Sequence, residues 1–414
     1  MMISAVGSVG CIDDSSKKIP EGSIRIGALL PFTGDLAASG ANIERALIWA
    51  AEQINEQGGV AGHPIALITR DTNSAVERGM DSARALIEEE GVVAVIGPEY
   101  ADLALEMMPL IEKNDVIQIS GGVSSTAFTE LDEKNVWFRT CPSSLTLGSV
   151  LAKKIYDDGM QNPVILHIAD EYGTNFAEMV RAELTAYLGD EPFQLGFQPD
   201  RSSYREVLTT ALERQPDAIV LVAYPKSGAV FVSDWNAMGA GEKLYFSDAL
   251  FNEVFVSNVP PGSIDGMVGI THAATTDAEV FAKSFAERWP GDTPLPASYF
   301  NFDALALLAL AIEQAYIESG SEAFPSTEQI ADHLVSVSSI STGKKVAWYE
   351  IDYGFDLLRN QDVPSYAGIN YRGASGSLDL DEHGEVFSGL AQLWTVEDDR
   401  IVKGETVSAL PISQ

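Results

Sequence analysis

From Ile24 onward, short and nearly continuous apolar runs alternate with segments whose apolar residues recur at helical spacing, and few architectures accept that alternation. The run 24–30 is apolar enough to be a parallel strand buried on both faces. A helix follows with Ile43, Leu47, Ala50 and Ile54 on one face, and Gly58-Gly59 stops it. Further strands are expected at 65–68, 92–96 and 116–119, with helices at 75–90 and 101–113 between them. Strand and helix at these intervals suit βαβ units in a parallel sheet. A second series begins after Cys141-Pro142. It has helices at 145–158, 176–188, 204–214 and 227–238, and strands at 164–169, 218–222 and 244–246. Helices return at 278–288, 299–319 and 327–336, and 379–384 reads as a hairpin turn. A chain of 414 residues exceeds one ordinary core, so the two series are expected to form two lobes. Ligands of open α/β sheets lie beyond the carboxyl ends of the strands, and two facing lobes make one cleft of both sets of ends.

Charge narrows the range of ligands and partners. The chain carries 60 acidic against 26 basic side chains, a formal net charge of −34. Such a surface repels phosphate backbones and anionic lipid, so neither nucleic acid nor a basic-patch membrane contact is expected. The same acidity fits a well-solvated surface and a chain adapted to a salty medium, where screening relieves self-repulsion. No run of 18 or more apolar residues occurs, so no membrane span is expected.

The first residues are small and apolar and end in Ser8-Val9-Gly10-Cys11, which resembles the end of a bacterial lipoprotein signal. Cys11 is therefore the expected lipidation site, and 12–23 a polar tether. Cys141 is the other cysteine, and a bridge to a residue in a polar leader suits it poorly.

Several segments, in order, resemble the leucine/isoleucine/valine-binding class of type I periplasmic binding proteins. They are the opening Ile24-Arg25-Ile26-Gly27-Ala28-Leu29-Leu30-Pro31-Phe32-Thr33-Gly34 and the run Ile54-Asn55-Glu56-Gln57-Gly58-Gly59-Val60-Ala61-Gly62. Val95-Ile96-Gly97-Pro98, Phe138-Arg139-Thr140, Tyr172-Gly173, Asn301-Phe302-Asp303-Ala304 and Gly373-Ala374-Ser375-Gly376 continue the match. The resemblance implies an α/β chain in two hinged lobes, each a mostly parallel sheet flanked by helices, joined by three crossovers. The expected crossovers lie near 140–142, 265–270 and 371–376. They assign 24–140 with 270–372 to an N-terminal lobe and 143–268 with 376–414 to a C-terminal lobe, after a leader and tether at 1–23.

The resemblance also implies a site for an amino-acid-like ligand. Gly122 and Ser124 align with a loop that offers a carbonyl and a hydroxyl, although a polar strand-to-helix turn reads the same way. Tyr172 and Tyr224 match aromatic contacts of the second lobe, or are rim tyrosines of that lobe. Asp248 stands where the family places an acid for the ammonium, or in an Asx-turn. Phe32, Tyr299 and Phe302 are weaker candidates, since an aromatic on a long helix usually belongs to the core. Ala101 departs from the pattern: the family has a hydroxyl there for the ligand carboxylate, and an acid so close to Gly97-Pro98 would repel one. A backbone amide then has to substitute, or the ligand is not a standard amino acid and Asp102 needs explaining. The cysteine pair of some relatives is replaced by Thr72-Asn73 and Tyr100.

Chemistry of other kinds has little support. His63, His167, His272, His333 and His383 are scattered without metal-ligand spacing, and Gly373-Ala374-Ser375-Gly376 lacks the spacing of a nucleophile elbow. Asp379-x-Asp381-x-His383-Gly384 resembles a calcium loop, but Leu390 stands where the bidentate glutamate belongs. The expectation is a non-enzymatic, cofactor-free monomer outside the cytoplasm, periplasmic or lipid-anchored. It would deliver a small ligand to an inner-membrane ABC permease or, alternatively, to a receptor or regulator.

Overall fold

The computed structural model describes residues 19–128, 135–320, 323–339, 343–360, 368–386 and 390–407. Cys11 and most of the expected tether lie outside them. The first series runs β1 (Ile24–Leu30), α1 (Ala37–Glu56), β2 (Ile65–Asp71), α2 (Val76–Arg84), β3 (Ala94–Ile96), α3 (Ala101–Asn114), β4 (Ile117–Ser120) and β5 (Trp137–Arg139). The second runs α4 (Ser144–Asp157), β6 (Pro163–Ile168), α5 (Glu171–Leu188), β7 (Phe193–Phe197), α6 (Arg205–Leu212), β8 (Ala218–Val222), α7 (Pro225–Ala237), β9 (Lys243–Phe246), α8 (Glu253–Ser257) and β10 (Val268–His272). There follow α9 (Thr276–Arg288), α10 (Pro296–Glu318), α11 (Thr327–Ser339), β11 (Lys344–Ala347), α12 (Ile351–Arg359), β12 (Ile369–Gly373), β13 (Gly376–Ser377), β14 (Ala391–Glu397) and β15 (Arg400–Val407).

These elements build two lobes. The first holds a five-stranded sheet of order β2-β1-β3-β4-β5, parallel throughout, and a small sheet of order β11-β12-β13. The second holds seven strands of order β15-β14-β10-β9-β8-β6-β7, parallel except for the pairs made by β14. Strands with helices on both faces are buried on both faces, which is why β1, β6 and β8 are nearly continuous apolar runs. Helix α10 shows the same effect. By length and composition it is long and apolar enough to cross a membrane, yet its residues from Ser298 to Ala315 are buried in the first lobe. Its mean hydropathy reflects a helix enclosed on all sides.

Three expectations need correction. The strand β7 was not expected, because an edge strand with a half-buried Phe-Gln-Leu-Gly-Phe pattern has no continuous apolar run. The crossover expected at 265–270 falls inside the second sheet, where β10 pairs with both β9 and β14. Within it Gly269 is the floor on which the Trp394 ring packs, so close that a Cβ would lie 2.1 Å from the ring. The chain leaves this sheet only after His272. The crossover expected at 371–376 is also too early. Leu378, Leu380 and Val386 remain in the first lobe's core, and the chain joins the second sheet at Ala391.

Buried polar anchors fix the long return segment. The Asp303 carboxyl is fully buried and accepts from the Tyr371 hydroxyl, the Ala374 and Ser375 amides and the Ser375 hydroxyl, at 2.6–2.9 Å. A Cβ on Gly373 would lie 2.3 Å from that carboxyl, which explains the glycine at the start of Gly373-Ala374-Ser375-Gly376. Burial holds the Asp303 acid up at about 6 against these hydrogen bonds.

Candidate interlobe binding site

The two strand orders place the site. In the first sheet the order reverses between β1 and β3, and in the second between β6 and β8. At such a switch point neighbouring connections leave on opposite faces and open a crevice at the carboxyl ends. Here Leu36 follows β1, Glu99 to Ala101 follow β3, and Gly122 and Ser124 follow β4. From the other lobe Tyr172 follows β6, Tyr224 follows β8, and Asp248 follows β9. All of them line one cavity of about 140 Å³ between the lobes.

The second-lobe wall is a pair of tyrosines, each held by an acid. The Tyr172 hydroxyl donates to Asp248 Oδ1 at 2.7 Å, and the Tyr224 hydroxyl donates to Asp170. The rings stack at 5.5 Å with 16° between planes, so both present fixed faces. Asp170 also caps α5, accepting from the Gly173 amide at 2.7 Å. Burial raises Asp248 above the usual carboxylate range, partly offset by the Tyr172 hydroxyl, and holds Asp170 at about 6. The Asp248 and Ala249 amides also donate to Asp248, and a buried carboxyl held in this way still accepts from an ammonium group.

The first-lobe wall is a helix terminus and a polar loop. Helix α3 begins at Ala101 with no side-chain cap, and its start, Tyr100 and Ala101, lines the cavity with Ser124. Uncapped amides at the positive end of a helix suit a carboxylate. Backbone can thus serve where Ala101 lacks a hydroxyl. Glu99 sits beside them, fully enclosed, with Asn301 Nδ2 donating to its Oε1 at 3.0 Å. Burial pushes the Glu99 acid up to about 7. Asp102 is turned elsewhere and accepts from the Glu171 amide of the opposite lobe at 2.9 Å. The acid in this loop that needs explaining is Glu99, not Asp102.

Six expected positions meet in the cavity: Ala101, Gly122, Ser124, Tyr172, Tyr224 and Asp248. Three others do not. Phe302 is fully buried among Trp49, Phe281 and Trp348, with ring centroids 5.1–5.6 Å away. Helical spacing explains this, because α10 turns Ala297 and Phe300 to the cleft and Phe302 to the core. Tyr299 lies outside this cavity too, packed edge-on against Phe281 with its hydroxyl donating to the Pro294 carbonyl. Phe32 packs on the first lobe's core, and its amide donates to Asp71 Oδ1. His272 and Phe300 were missed. They meet edge to face at 5.6 Å in the cavity wall, and no local sequence signal marks either. Burial, helped by the Arg139 charge, keeps His272 down at about 4, so it is neutral. Among the described residues no cluster of three or more His, Cys, Asp or Glu side chains is arranged to hold a metal ion.

The cleft is closed. The Ser125 hydroxyl donates to Glu171 and Asn175 Nδ2 to the Thr126 hydroxyl, both across the lobes. The buried Asp35 carboxyl accepts from the Ser227 hydroxyl at 2.7 Å and the Ser227 amide at 3.1 Å at the start of α7. Hydrogen bonds to a charged group contribute about 1.5–3 kcal/mol each, and these two exist only when the lobes meet. Asp35→Ala is therefore expected to open the ligand-free protein. Small-angle scattering should show a larger radius of gyration, and an unchanged radius would remove this pair as a closing contact.

Comparison with known proteins agrees with this architecture. Residues 23–350 match the family model described as periplasmic binding protein. The chain is 25% identical over 367 residues to the chemotactic signal transduction system substrate-binding protein BasB of Halobacterium salinarum, covering 86% of this chain and 83% of that protein. It is 23% identical over 356 residues to the Leu/Ile/Val-binding protein BraC3 of Rhizobium johnstonii, covering 86% and 93%. In structure it resembles the leucine binding protein LivK of Thermotoga maritima, with a TM-score of 0.77 at 20% identity, covering 93% and 99% of the two chains.

Proposed function

This chain belongs to the periplasmic binding protein family, and from that premise we propose that it captures an amino acid outside the cytoplasm by closing its lobes and delivers it to a membrane permease. The observation that carries the ligand class is the pairing of opposite polarities across one cavity. The uncapped start of α3 and Ser124 line it from one lobe, and the buried Asp248–Tyr172 pair from the other. An α-amino acid has the matching groups, a carboxylate for the first and an ammonium for the second. Its contacts with both walls form only in the closed state, and that difference drives closure. Gly122 supplies its carbonyl to the ammonium, and Ala101 contributes through its backbone amide. Similarity to a Leu/Ile/Val-binding protein supports an amino acid of this kind. The protein acts by binding and release, without catalysis, and a lipid on Cys11 would hold it at the membrane.

Isothermal titration with the twenty amino acids tests the ligand class. Micromolar or tighter binding of at least one is expected; heat only from solutes lacking an α-amino acid group would overturn the reading. A second reading, delivery to a receptor, is favoured by the similarity to a chemotactic substrate-binding protein. Deleting the gene separates the two: lost uptake of labelled ligand supports import, and lost taxis with intact uptake supports sensing.

A further inference from the structure

We infer that the cavity selects an amino acid carrying a second positive N–H group, because Glu99 from one lobe and Asp248 from the other face a chamber with no lysine or arginine in its wall. This rests on the reading of the chain as an amino-acid-binding protein and names the class of amino acid. One α-ammonium satisfies one of the two carboxyls. The other, Glu99, has one hydrogen-bond donor among the described residues, the Asn301 amide on its Oε1. Its Oε2 lies over Gly122, where a Cβ would come within 2.4 Å of it, so glycine leaves that oxygen its place. Tyr100, also a wall residue, packs its side chain into the first lobe's core, and its charged neighbour is Asp102, not Glu99. The Asn301 Oδ1 is buried and unpartnered. A poorly partnered acid in a closed cavity calls for a polar ligand group, and an ammonium or guanidinium supplies several donors at once. The faces of Tyr172, Tyr224 and Phe300 favour a cation over an anion in the same space.

A branched-chain amino acid meets this wall badly. Its carboxylate at the start of α3 lies beside Glu99, and its apolar side chain leaves that acid unmatched. A side-chain cation turns the same acid into a partner. The titratable side chains sharing the cavity with Glu99 are Tyr100, Cys141, Tyr172, Tyr224, Asp248 and His272. Burial raises the Cys141 thiol to about 12 and the three tyrosines above their usual range, and keeps His272 at about 4. Asp248 is raised by burial, and Glu99 stands at about 7. A cation binds the ionised carboxylate, so below pH 7 it must displace a proton from Glu99. Affinity for a side-chain cation should fall about tenfold between pH 8 and pH 6.

The experiment is calorimetric titration of the full chain with L-lysine, L-ornithine and L-leucine at pH 6 and pH 8. At pH 8 lysine or ornithine is expected to bind at least tenfold tighter than leucine. Glu99→Gln keeps the volume and the bond from Asn301; it should reduce the preference for the basic ligand at least tenfold and abolish the pH dependence of that preference. Glu99→Asp, which keeps the charge, should retain the preference, and thermal melts of both variants report whether the fold is kept. Leucine binding as tightly as lysine and ornithine, or an unchanged preference in folded Glu99→Gln, overturns the inference and leaves the amino-acid reading standing. Heat from none of the three, with heat from a solute lacking an amino-acid group, overturns both.

Discussion

Asp248→Ala is expected to weaken amino-acid binding by about 2–4 kcal/mol, the usual cost of truncating one partner of a buried, hydrogen-bonded charge pair. The carboxyl is enclosed at the end of β9, where it accepts from the Tyr172 hydroxyl and the Asp248 and Ala249 amides, and Asp248 lines the cavity. Without it, an ammonium would lose the second lobe's carboxyl partner, and the Tyr172 hydroxyl would lose its own acceptor. The loss should appear mainly as faster ligand release, since truncating a buried pair acts on the dissociation rate. Titration calorimetry with stopped-flow fluorescence separates the two rates. A dissociation constant unchanged within a factor of three would take Asp248 out of the site. Asp248→Asn should lie between, because the amide still accepts a hydrogen bond but carries no charge.

Arg139→Ala is expected to destabilise the fold by about 3–5 kcal/mol, as for other buried ion pairs that lose one partner. Arg139 is fully buried on β5 where the chain leaves the first lobe. Its guanidinium donates to Glu385 at 2.6 Å and to the Ser125 carbonyl at 2.7 Å, tying the returning segment and the cavity loop to the sheet. Removing it strips Glu385 of its buried countercharge and frees the loop that carries Ser124. Urea unfolding should show a lower midpoint at an unchanged slope. Arg139→Met combined with Glu385→Gln should recover more than half of the loss, because neither position then buries a charge. A single-variant cost below 1 kcal/mol would show that the pair is not structural.

Several parts of the fold were legible in the sequence for a physical reason. A strand enclosed on both faces must be apolar at nearly every position, so β1, β6 and β8 stood out. The half-covered edge strand β7 did not, because intermediate burial tolerates Gln194 and Gly196. Site residues were readable where they directly follow a legible strand: Tyr172, Tyr224, Asp248, Gly122 and Ser124 all stand there. His272 was not, because its own strand was taken for a connection.

By itself, then, the sequence determined what local periodicity and strand-end position encode. That covers the alternation of strands and helices, the division into two lobes and the loops that meet at the cleft. Only the tertiary structure decided which residues of α10 turn to the cleft and which to the core, where the chain returns between lobes, and that Glu99 shares a cavity with Asp248. These depend on contacts between residues far apart in the chain, such as Asn301 with Glu99 and Arg139 with Glu385. Burial and electrostatics are properties of the assembled environment, so the same glutamate is an ordinary surface acid in an isolated loop and a proton-holding group at the floor of a closed cleft.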